Sequence, residues 1–218
     1  METLKKLVPK KYAVFPLAVT VALYLGVYYT SALICKNFPT HDPTAAIDGM
    51  IPVFSPSVLI YVLAYVQWLL CALHLCSSEK ENCYRAFTAA QCALLISLCV
   101  FIVFPTSTVR PEITGNGFFD GMLRLIYSLD TPDTLFPSFH CIASWFSFRT
   151  LARDPRTPAW ANAVNFCFTL MVFASTLLTK QHLFLDIPSA LLVMEAGFFI
   201  SGKISFSGLY DSVLKAKK

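Results

Sequence analysis

The residues of this sequence best suited to chemistry are two histidines and an aspartate. His182 and Asp186 are four positions apart, so on a helix they share one face, where the carboxylate can accept a hydrogen bond from one imidazole nitrogen. The second nitrogen would then act as a base or a nucleophile. The same spacing is typical of an ion pair that anchors a helix end, and the pair alone does not decide between these interpretations.

The second histidine, His140, follows the tripeptide Pro-Ser-Phe at 137–139. A proline and a serine before a helix indicate an N-terminus, whose unpaired N–H groups and dipole favour a bound anion. Arg110 would add a charge that does not titrate. Together these residues fit phosphoryl transfer, in which one histidine attacks phosphorus and the other protonates the leaving oxygen. Backbone hydrogen bonding at a helix start is the structural alternative for His140.

The composition places these residues in a membrane protein. Of the 218 residues, 56% are apolar or aromatic and 14% are charged, whereas about a quarter of a soluble domain is charged. The 19 Phe and 9 Tyr exceed what one small core hides from water. The net charge of +4 comes from short clusters between apolar runs, so it does not indicate a nucleic-acid partner.

Six apolar segments approach the length of about 20 residues that a membrane span needs. They cover residues 12–34, 53–76, 86–104, 138–151, 160–179 and 183–201. With the N-terminus in the cytoplasm, thirteen of the 17 Lys and Arg are cytoplasmic, as the positive-inside rule favours, and four are outside: Lys36, Arg110, Arg124 and Lys180. Dropping the short fourth span would move Arg149, Arg153 and Arg156 outside. The charges therefore favour six spans.

This arrangement predicts an all-α, single-domain protein over residues 1–218, with both termini cytoplasmic and its candidate site on the outer side of the plasma membrane. The first span is too long for a signal peptide and is predicted to stay as an anchor. The outer segment 105–137 should contain an interfacial helix, because apolar residues recur there at helical spacing: Phe118, Phe119, Met122, Leu123, Ile126 and Tyr127.

The eight cysteines show no C-x-x-C pair and no zinc-ligand spacing. We interpret those in or beside apolar runs as small buried hydrophobic residues; they are Cys71, Cys92, Cys99, Cys141 and Cys167.

The order of the chemical residues resembles the type 2 phosphatidic acid phosphatase superfamily. The motifs of that superfamily are K-x6-R-P, P-S-G-H and S-R-x5-H-x3-D, on six transmembrane helices with an outward-facing site. The corresponding residues here span about the last two-thirds of the chain: Arg110-Pro111, Pro137-Ser138-Phe139-His140, Ser175-Thr176, His182 and Asp186.

The resemblance implies a role for each of these residues. His182 would be the nucleophile that forms a phosphohistidine, Asp186 would orient it, and His140 would protonate the leaving alcohol. Arg110 and the region of Ser138 and Phe139 would hold the phosphate oxygens. No metal or other cofactor is implied.

Three positions depart from the family motifs. Val103 stands in place of the first lysine, Phe139 in place of the glycine and Thr176 in place of the second arginine. Two phosphate-binding cations are therefore absent, and Lys180 is the residue we expect to replace one of them. The variant motif looks like the branch that includes inositolphosphotransferases and sphingomyelin-synthase-like proteins.

The leading functional prediction is a metal-independent phosphatase that acts on a membrane lipid phosphate or diphosphate. One alternative passes the phospho-headgroup to a second lipid alcohol instead of water. Another interprets His140, His182 and Asp186 as a metal site with two histidines and one carboxylate. A third is a relative that keeps the fold without the chemistry.

Several other polar residues have less specific interpretations. Asp48, Asp130 and Asp133 could line the mouth of the site or orient His140, or be solvated loop carboxylates. Glu195 lies inside the sixth predicted span, where an acid is either functional or bonded to a neighbouring helix.

Overall fold

The computed structural model describes residues 8–133 and 136–216, and this part of the chain is built from helices without a β-strand. A short 3-10 turn, Ser55–Ser57, precedes the third helix. The α-helices are α1 (Lys11–Asn37), α2 (Ala46–Met50), α3 (Val58–Cys76), α4 (Lys80–Val103), α5 (Phe118–Leu129), α6 (Phe139–Arg153), α7 (Ala159–Leu178), α8 (Asp186–Ser201) and α9 (Ser207–Ala216).

Four segments are long and apolar enough to cross a membrane. They are Lys11–Asn37, Ser55–Cys76, Lys80–Val103 and Ala159–Leu178, which contain α1, α3, α4 and α7. The fourth and sixth predicted spans also form helices, but α6 has 15 residues and α8 has 16, fewer than a typical span. The all-helical fold and four apolar helices of membrane-spanning length are therefore confirmed.

Large apolar side chains cover the outside of the long helices. Leu69 and Leu70 of α3 are 59% and 61% exposed, and Val103 at the end of α4 is 81% exposed. Water would make such surfaces costly, whereas lipid tails solvate them. The exposed faces are therefore those of a membrane protein.

Helix α4 occupies the centre of the bundle, where it packs against α1 on one side and α8 on the other. Gly197 allows the close approach of α8, because a Cβ atom there would lie 2.4 Å from the carbonyl oxygen of Ala89. Helix α6 packs against α3, α7 and α8. The core between α4, α6, α7 and α8 includes Cys141, Phe173 and Met194.

The five cysteines singled out in the sequence are free thiols. Cys71, Cys92 and Cys141 are buried as predicted, but Cys99 and Cys167 are exposed, so the prediction was wrong for these two. They lie on α4 and α7, whose outward faces are apolar, where a thiol is a small hydrophobe without being in the protein core.

The segment 105–137 contains an amphipathic helix, α5, as its spacing predicts. Leu123 is fully buried, whereas Phe118 and Leu129 are 77% and 72% exposed. The hydroxyl of Tyr127 donates to the carbonyl oxygen of Thr179 at 2.8 Å, and Ser55 Oγ donates to Asp120 at 2.5 Å. These bonds attach α5 to the same end of the bundle as the C-terminus of α7.

Candidate functional site

The turn between α7 and α8 sets the position of His182. Lys180 has a φ of 53°, the left-handed conformation that often ends a helix. Its backbone N–H donates to Leu177 O at 3.1 Å, and that of Gln181 donates to Thr176 O at 3.0 Å. This pair of bonds is a Schellman motif, which reverses the chain and places Gln181 and His182 at the end of the bundle.

A buried carboxylate holds the ring of His182. Asp186 is fully buried at the first position of α8, where the helix dipole favours a negative charge. Its Oδ2 lies 3.1 Å from His182 Nδ1 and accepts the backbone N–H of Leu183 at 2.8 Å. With the proton on Nδ1, the arrangement orients Nε2 as the basic nitrogen of the imidazole.

His140 lies in the first turn of α6, next to its capping residue. Ser138 is completely buried, and its Oγ accepts the backbone N–H of Cys141 at 3.3 Å, so its hydroxyl serves as the helix cap. The ring of His140 is 7% exposed, and its centroid is 6.3 Å from that of His182. Within the described residues, His140 Nε2 is buried without a hydrogen-bond partner.

Aromatic rings surround His140 on the side of α3. Tyr61 stacks on it with a centroid distance of 3.9 Å, and Tyr65 and Trp68 present their edges at 5.5 and 4.9 Å. The indole N–H of Trp68 donates to Ser144 Oγ at 3.0 Å, which fixes α3 against α6. The histidine is therefore held by packing.

Arg110 enters the same region from the loop after α4. It donates to the backbone oxygens of Asp130 and Thr131, at 2.5 and 3.2 Å, and its Nη2 donates to Gln181 Oε1 at 2.7 Å. Burial lowers the pKa of Arg110, and the nearby carboxylate of Asp130 opposes that shift. The guanidinium keeps its charge because an arginine does not lose its proton in a protein.

These residues line one cavity of about 220 Å³. Arg110, His140, Gln181, His182, Asp130 and Asp133 contribute polar groups, and the other walls are mainly aromatic and aliphatic. Three nitrogen atoms of the lining residues are buried and have no partner among the described residues: Arg110 Nε, His140 Nε2 and Gln181 Nε2. Unpaired buried polar groups are costly, and a bound ligand rich in oxygen acceptors would satisfy them.

Lys180 does not join this cavity. Its ammonium group donates to the backbone oxygens of Asp48 and Ile51, at 2.7 and 2.5 Å, and it lines a different cavity of about 420 Å³. The Schellman turn sends the side chain of Lys180 away from that of His182, so the structure gives no support to Lys180 as a replacement phosphate ligand. Among the described residues that line the histidine cavity, Arg110 is the only lysine or arginine.

The other three positions that depart from the family motifs also supply no positive charge to the cavity. Val103 lies on the exposed apolar surface. Thr176 is buried, and its hydroxyl donates to the carbonyl oxygen of Phe173 at 2.7 Å. Phe139 lines the cavity and packs against Tyr24 and Phe101, with centroid distances of 5.3 and 5.4 Å.

The three loop aspartates are placed differently from one another. Asp130 and Asp133 line the histidine cavity, and Asp130 Oδ1 accepts the hydroxyl of Tyr28 at 2.8 Å. Asp48 is buried instead in the neighbouring loop, where it accepts the backbone N–H groups of Phe184 and Ala45 at 2.7 and 2.9 Å. Asp48 therefore has a structural position.

Glu195 has partners on another helix. It accepts two hydrogen bonds from Arg149, at 2.5 and 2.9 Å, and one from Trp145 at 2.8 Å. The helix-to-helix alternative for this acid is therefore the one that the geometry supports.

The tyrosines of the cavity belong to none of the sequence motifs that predict the site. Tyr61 and Tyr65 are one helical turn apart on α3, a spacing that would have indicated a shared face. Tyr24 and Tyr28 repeat that spacing on α1 and also line the cavity. Nothing local in the sequence connects these pairs with His140.

Within the described residues, no group of three or more His, Cys, Asp and Glu side chains is placed to hold a metal ion. Comparisons with protein-family models, curated proteins and solved structures find no match to this chain.

Proposed function

We propose that this protein is an integral-membrane phosphatase that hydrolyses a lipid phosphate or diphosphate through a phosphohistidine. The observation that carries the proposal is the pair of histidine rings 6.3 Å apart, one of them bonded to the buried Asp186. Both line the same cavity as Arg110. The motif resemblance gives the same residues the same roles.

The membrane arrangement in this proposal has six spans. Helices α6 and α8 join the four long apolar helices, because they pack among those helices and α8 exposes Leu192 and Phe199, at 72% and 69%. The positive-inside rule then assigns the loop with Arg153 and Arg156 to the cytoplasm. The cavity with the two histidines opens on the outer side.

The chemistry divides between the two histidines. Nε2 of His182 attacks phosphorus, the bond from phosphorus to the lipid oxygen breaks, and His140 gives its proton to that oxygen. Water then loses a proton to His140 and attacks the phosphohistidine, which releases phosphate and restores His182. Arg110 and Gln181 would hold the phosphate oxygens as charge develops on them.

Transfer of a phospho-headgroup to a second lipid alcohol is the second candidate. One observation favours it, namely that Arg110 is the only lysine or arginine among the described lining residues. A phosphodiester carries one negative charge, whereas a phosphomonoester carries nearly two at neutral pH. A single arginine therefore matches the charge of a diester better.

The test measures phosphate release from detergent-solubilised lipid phosphates and diphosphates, with a chelator present. Wild type, His182→Ala and His41→Ala are compared, since His41 stacks on Phe104 in an outer loop and controls for loss of a histidine. We expect release by wild type and His41→Ala but not by His182→Ala, and an acid-labile phosphoryl group on the two active proteins only. Release that persists in His182→Ala contradicts the nucleophile assignment, and release that the chelator abolishes contradicts the metal-free mechanism.

A second arm tests the transfer alternative. Labelled phosphodiester lipids are supplied with an acceptor lipid alcohol, and the labelled headgroup is followed by chromatography. Headgroup exchange without phosphate release would favour transfer, and inactivity in both arms would favour a catalytically silent relative.

A further inference from the structure

A second polar cavity lies at the other end of the bundle from the histidines. Its volume is about 380 Å³, and it lies between the start of α4, the end of α6 and α8. Arg153 is thirteen residues after His140 on α6, which places it about 20 Å along the helix axis at 1.5 Å per residue. The two sites are therefore separate.

Positive charge dominates this cavity. Arg85 and Arg153 both line it, and both also line an adjoining groove together with Lys203. Arg85 and Arg149 are close enough to repel Arg153. Like charges held this close in the absence of a ligand raise the free energy of the folded protein.

The neighbouring carboxylates are bonded to other cations, although Glu195 also attracts Arg153 electrostatically. Glu195 is bonded to Arg149, and Asp154, which lines the cavity, is bonded to Arg156 and His74 at 2.6 and 3.0 Å. Over residues 8–133 and 136–216, no hydrogen bond or ion pair joins the side chain of Arg85 or Arg153 to an acceptor. Both charges are therefore available to an anion.

Thr150 supplies an independent indication of a ligand. Its side chain lines the cavity and is 8% exposed, yet its Oγ1 has no hydrogen-bond partner among the described residues. A buried hydroxyl without a partner is uncommon in a folded protein. A phosphate oxygen in the cavity would accept its proton.

The surrounding elements suit an anion that belongs to a lipid. Ser78 and Asn82, which also line the cavity, flank the first turn of α4, where the helix dipole favours negative charge. Phe198 lies under Arg153, 4.6 Å from ring centroid to Cζ, and Phe199 is 69% exposed beside Lys203. Exposed aromatic rings can contact the acyl chains of a lipid, and the cations beside them can contact its anionic headgroup.

We propose that this cavity is a binding site for the phosphate group of an anionic ligand, held by Arg85, Arg153 and the hydroxyl of Thr150. An anionic phospholipid of the cytoplasmic leaflet and a soluble phosphate share the required chemistry. The site does not depend on the proposed phosphatase activity, so it can be tested on a His182→Ala background, where the histidine site does not turn over a ligand.

The experiment titrates the purified full-length protein in detergent by calorimetry with three probes. These are short-chain phosphatidylglycerol, short-chain phosphatidylcholine and inorganic phosphate. We expect the charged lipid to bind and the zwitterionic lipid to bind at least tenfold more weakly. Binding of inorganic phosphate with the same dependence on the arginines would identify a soluble ligand, and binding of the charged lipid alone would identify a headgroup.

Matched variants locate the site. Arg85→Gln with Arg153→Gln should weaken binding roughly 30-fold, because each cation near an anionic headgroup contributes on the order of a factor of five. Thr150→Val should weaken it about fivefold without lowering the unfolding temperature, because it removes an unpaired hydroxyl. Lys10→Gln with Lys11→Gln removes the same charge from exposed positions near the same end and should leave binding unchanged.

Three results would overturn the proposal. They are equal weakening in the two double variants, equal binding of the two lipids, and the absence of binding by every probe. Elution volume and unfolding temperature without ligand show whether each variant is folded before its titration is interpreted.

Discussion

His140 and Tyr61 lie face to face, with their ring centroids 3.9 Å apart and their planes inclined by 19°. Tyr61 is 2% exposed, so the stack is part of the packed interior between α3 and α6. In the proposed mechanism this contact determines where the acid points, because Trp68 and Tyr65 contact the same imidazole only with their edges.

Replacement of Tyr61 should therefore affect the acid step selectively. Tyr61→Leu removes the stacked ring, and we expect kcat to fall about 100-fold for substrates with poor leaving groups, in the range of general acid catalysis. For substrates with activated leaving groups, such as aryl phosphates, kcat should fall much less. Tyr61→Phe keeps the stack and should keep both rates within about twofold. Equal losses for the two leaving-group classes would contradict the positioning role.

Asp186 should be required for turnover because it sets the tautomer of His182. Asp186→Asn presents an amide to Nδ1, and we expect kcat to fall by about 10,000-fold, comparable to the loss of the orienting aspartate in a catalytic triad. Asp48→Asn is the matched control, because Asp48 is also buried and accepts backbone N–H groups beside the start of α8. It should lower the unfolding temperature and leave kcat within about twofold. Retained activity in Asp186→Asn would contradict the role of Asp186 in orienting His182.

Arg110 and Lys180 should behave in opposite ways. Arg110→Lys loses the planar fork that reaches Gln181, and we expect kcat/KM to fall about 100-fold. Lys180→Met removes a cation whose ammonium binds two backbone oxygens, so it should cost about 1–2 kcal/mol of unfolding free energy with little change in kcat/KM. A large kinetic effect of Lys180→Met would restore its role as a phosphate ligand.

Low pH should destabilise the protein through Asp154, in the loop between α6 and α7. Burial by itself would raise the pKa of Asp154, but its bonds to Arg156 and His74 lower it to about 2. An unfolded aspartate has a pKa near 3.9, so this carboxylate contributes stability that is fully present above about pH 4 and is lost as the pH falls through about 2. Asp154→Asn should remove that part of the pH dependence in thermal unfolding between pH 2 and pH 6. An unchanged slope in the variant would contradict the low pKa.

The close contact between α8 and α4 should not tolerate a side chain at Gly197. Gly197→Ala places a Cβ atom 2.4 Å from Ala89 O, and the separation of the helices should cost about 1–3 kcal/mol. Gly26→Ala is the control on α1, where a Cβ meets nothing within 4 Å, so it should stabilise the helix by about 0.5–1 kcal/mol. Equal unfolding temperatures for the two variants would exclude a close contact.

The sequence predicted the helices and the contact of His182 with Asp186 because both leave local patterns. Apolar runs mark long helices. The spacing of His182 and Asp186 predicted that they meet, but they do not share a helical face, because α8 begins at Asp186 and His182 lies in the turn before it. The prediction for Lys180 rested on its nearness to His182 and on its being one of the few cations on the predicted outer side. A left-handed residue at the helix end directs the two side chains differently. The aromatic wall of the histidine cavity comes from α1 and α3, far away in sequence, so only the packing of the helices reveals it.

The shortness of α6 and α8 has a consequence for the depth of the chemistry. At 1.5 Å per residue their 15 and 16 residues span about 23 Å, against about 30 Å of hydrocarbon in a bilayer. In the proposed arrangement, their cytoplasmic ends lie at one boundary of the membrane, so His140 in the first turn of α6 lies several ångströms beneath the opposite headgroup plane. The headgroup of a lipid substrate must then move below the plane of the surrounding headgroups to react. Thinner bilayers should shorten that displacement and raise the rate of the proposed reaction.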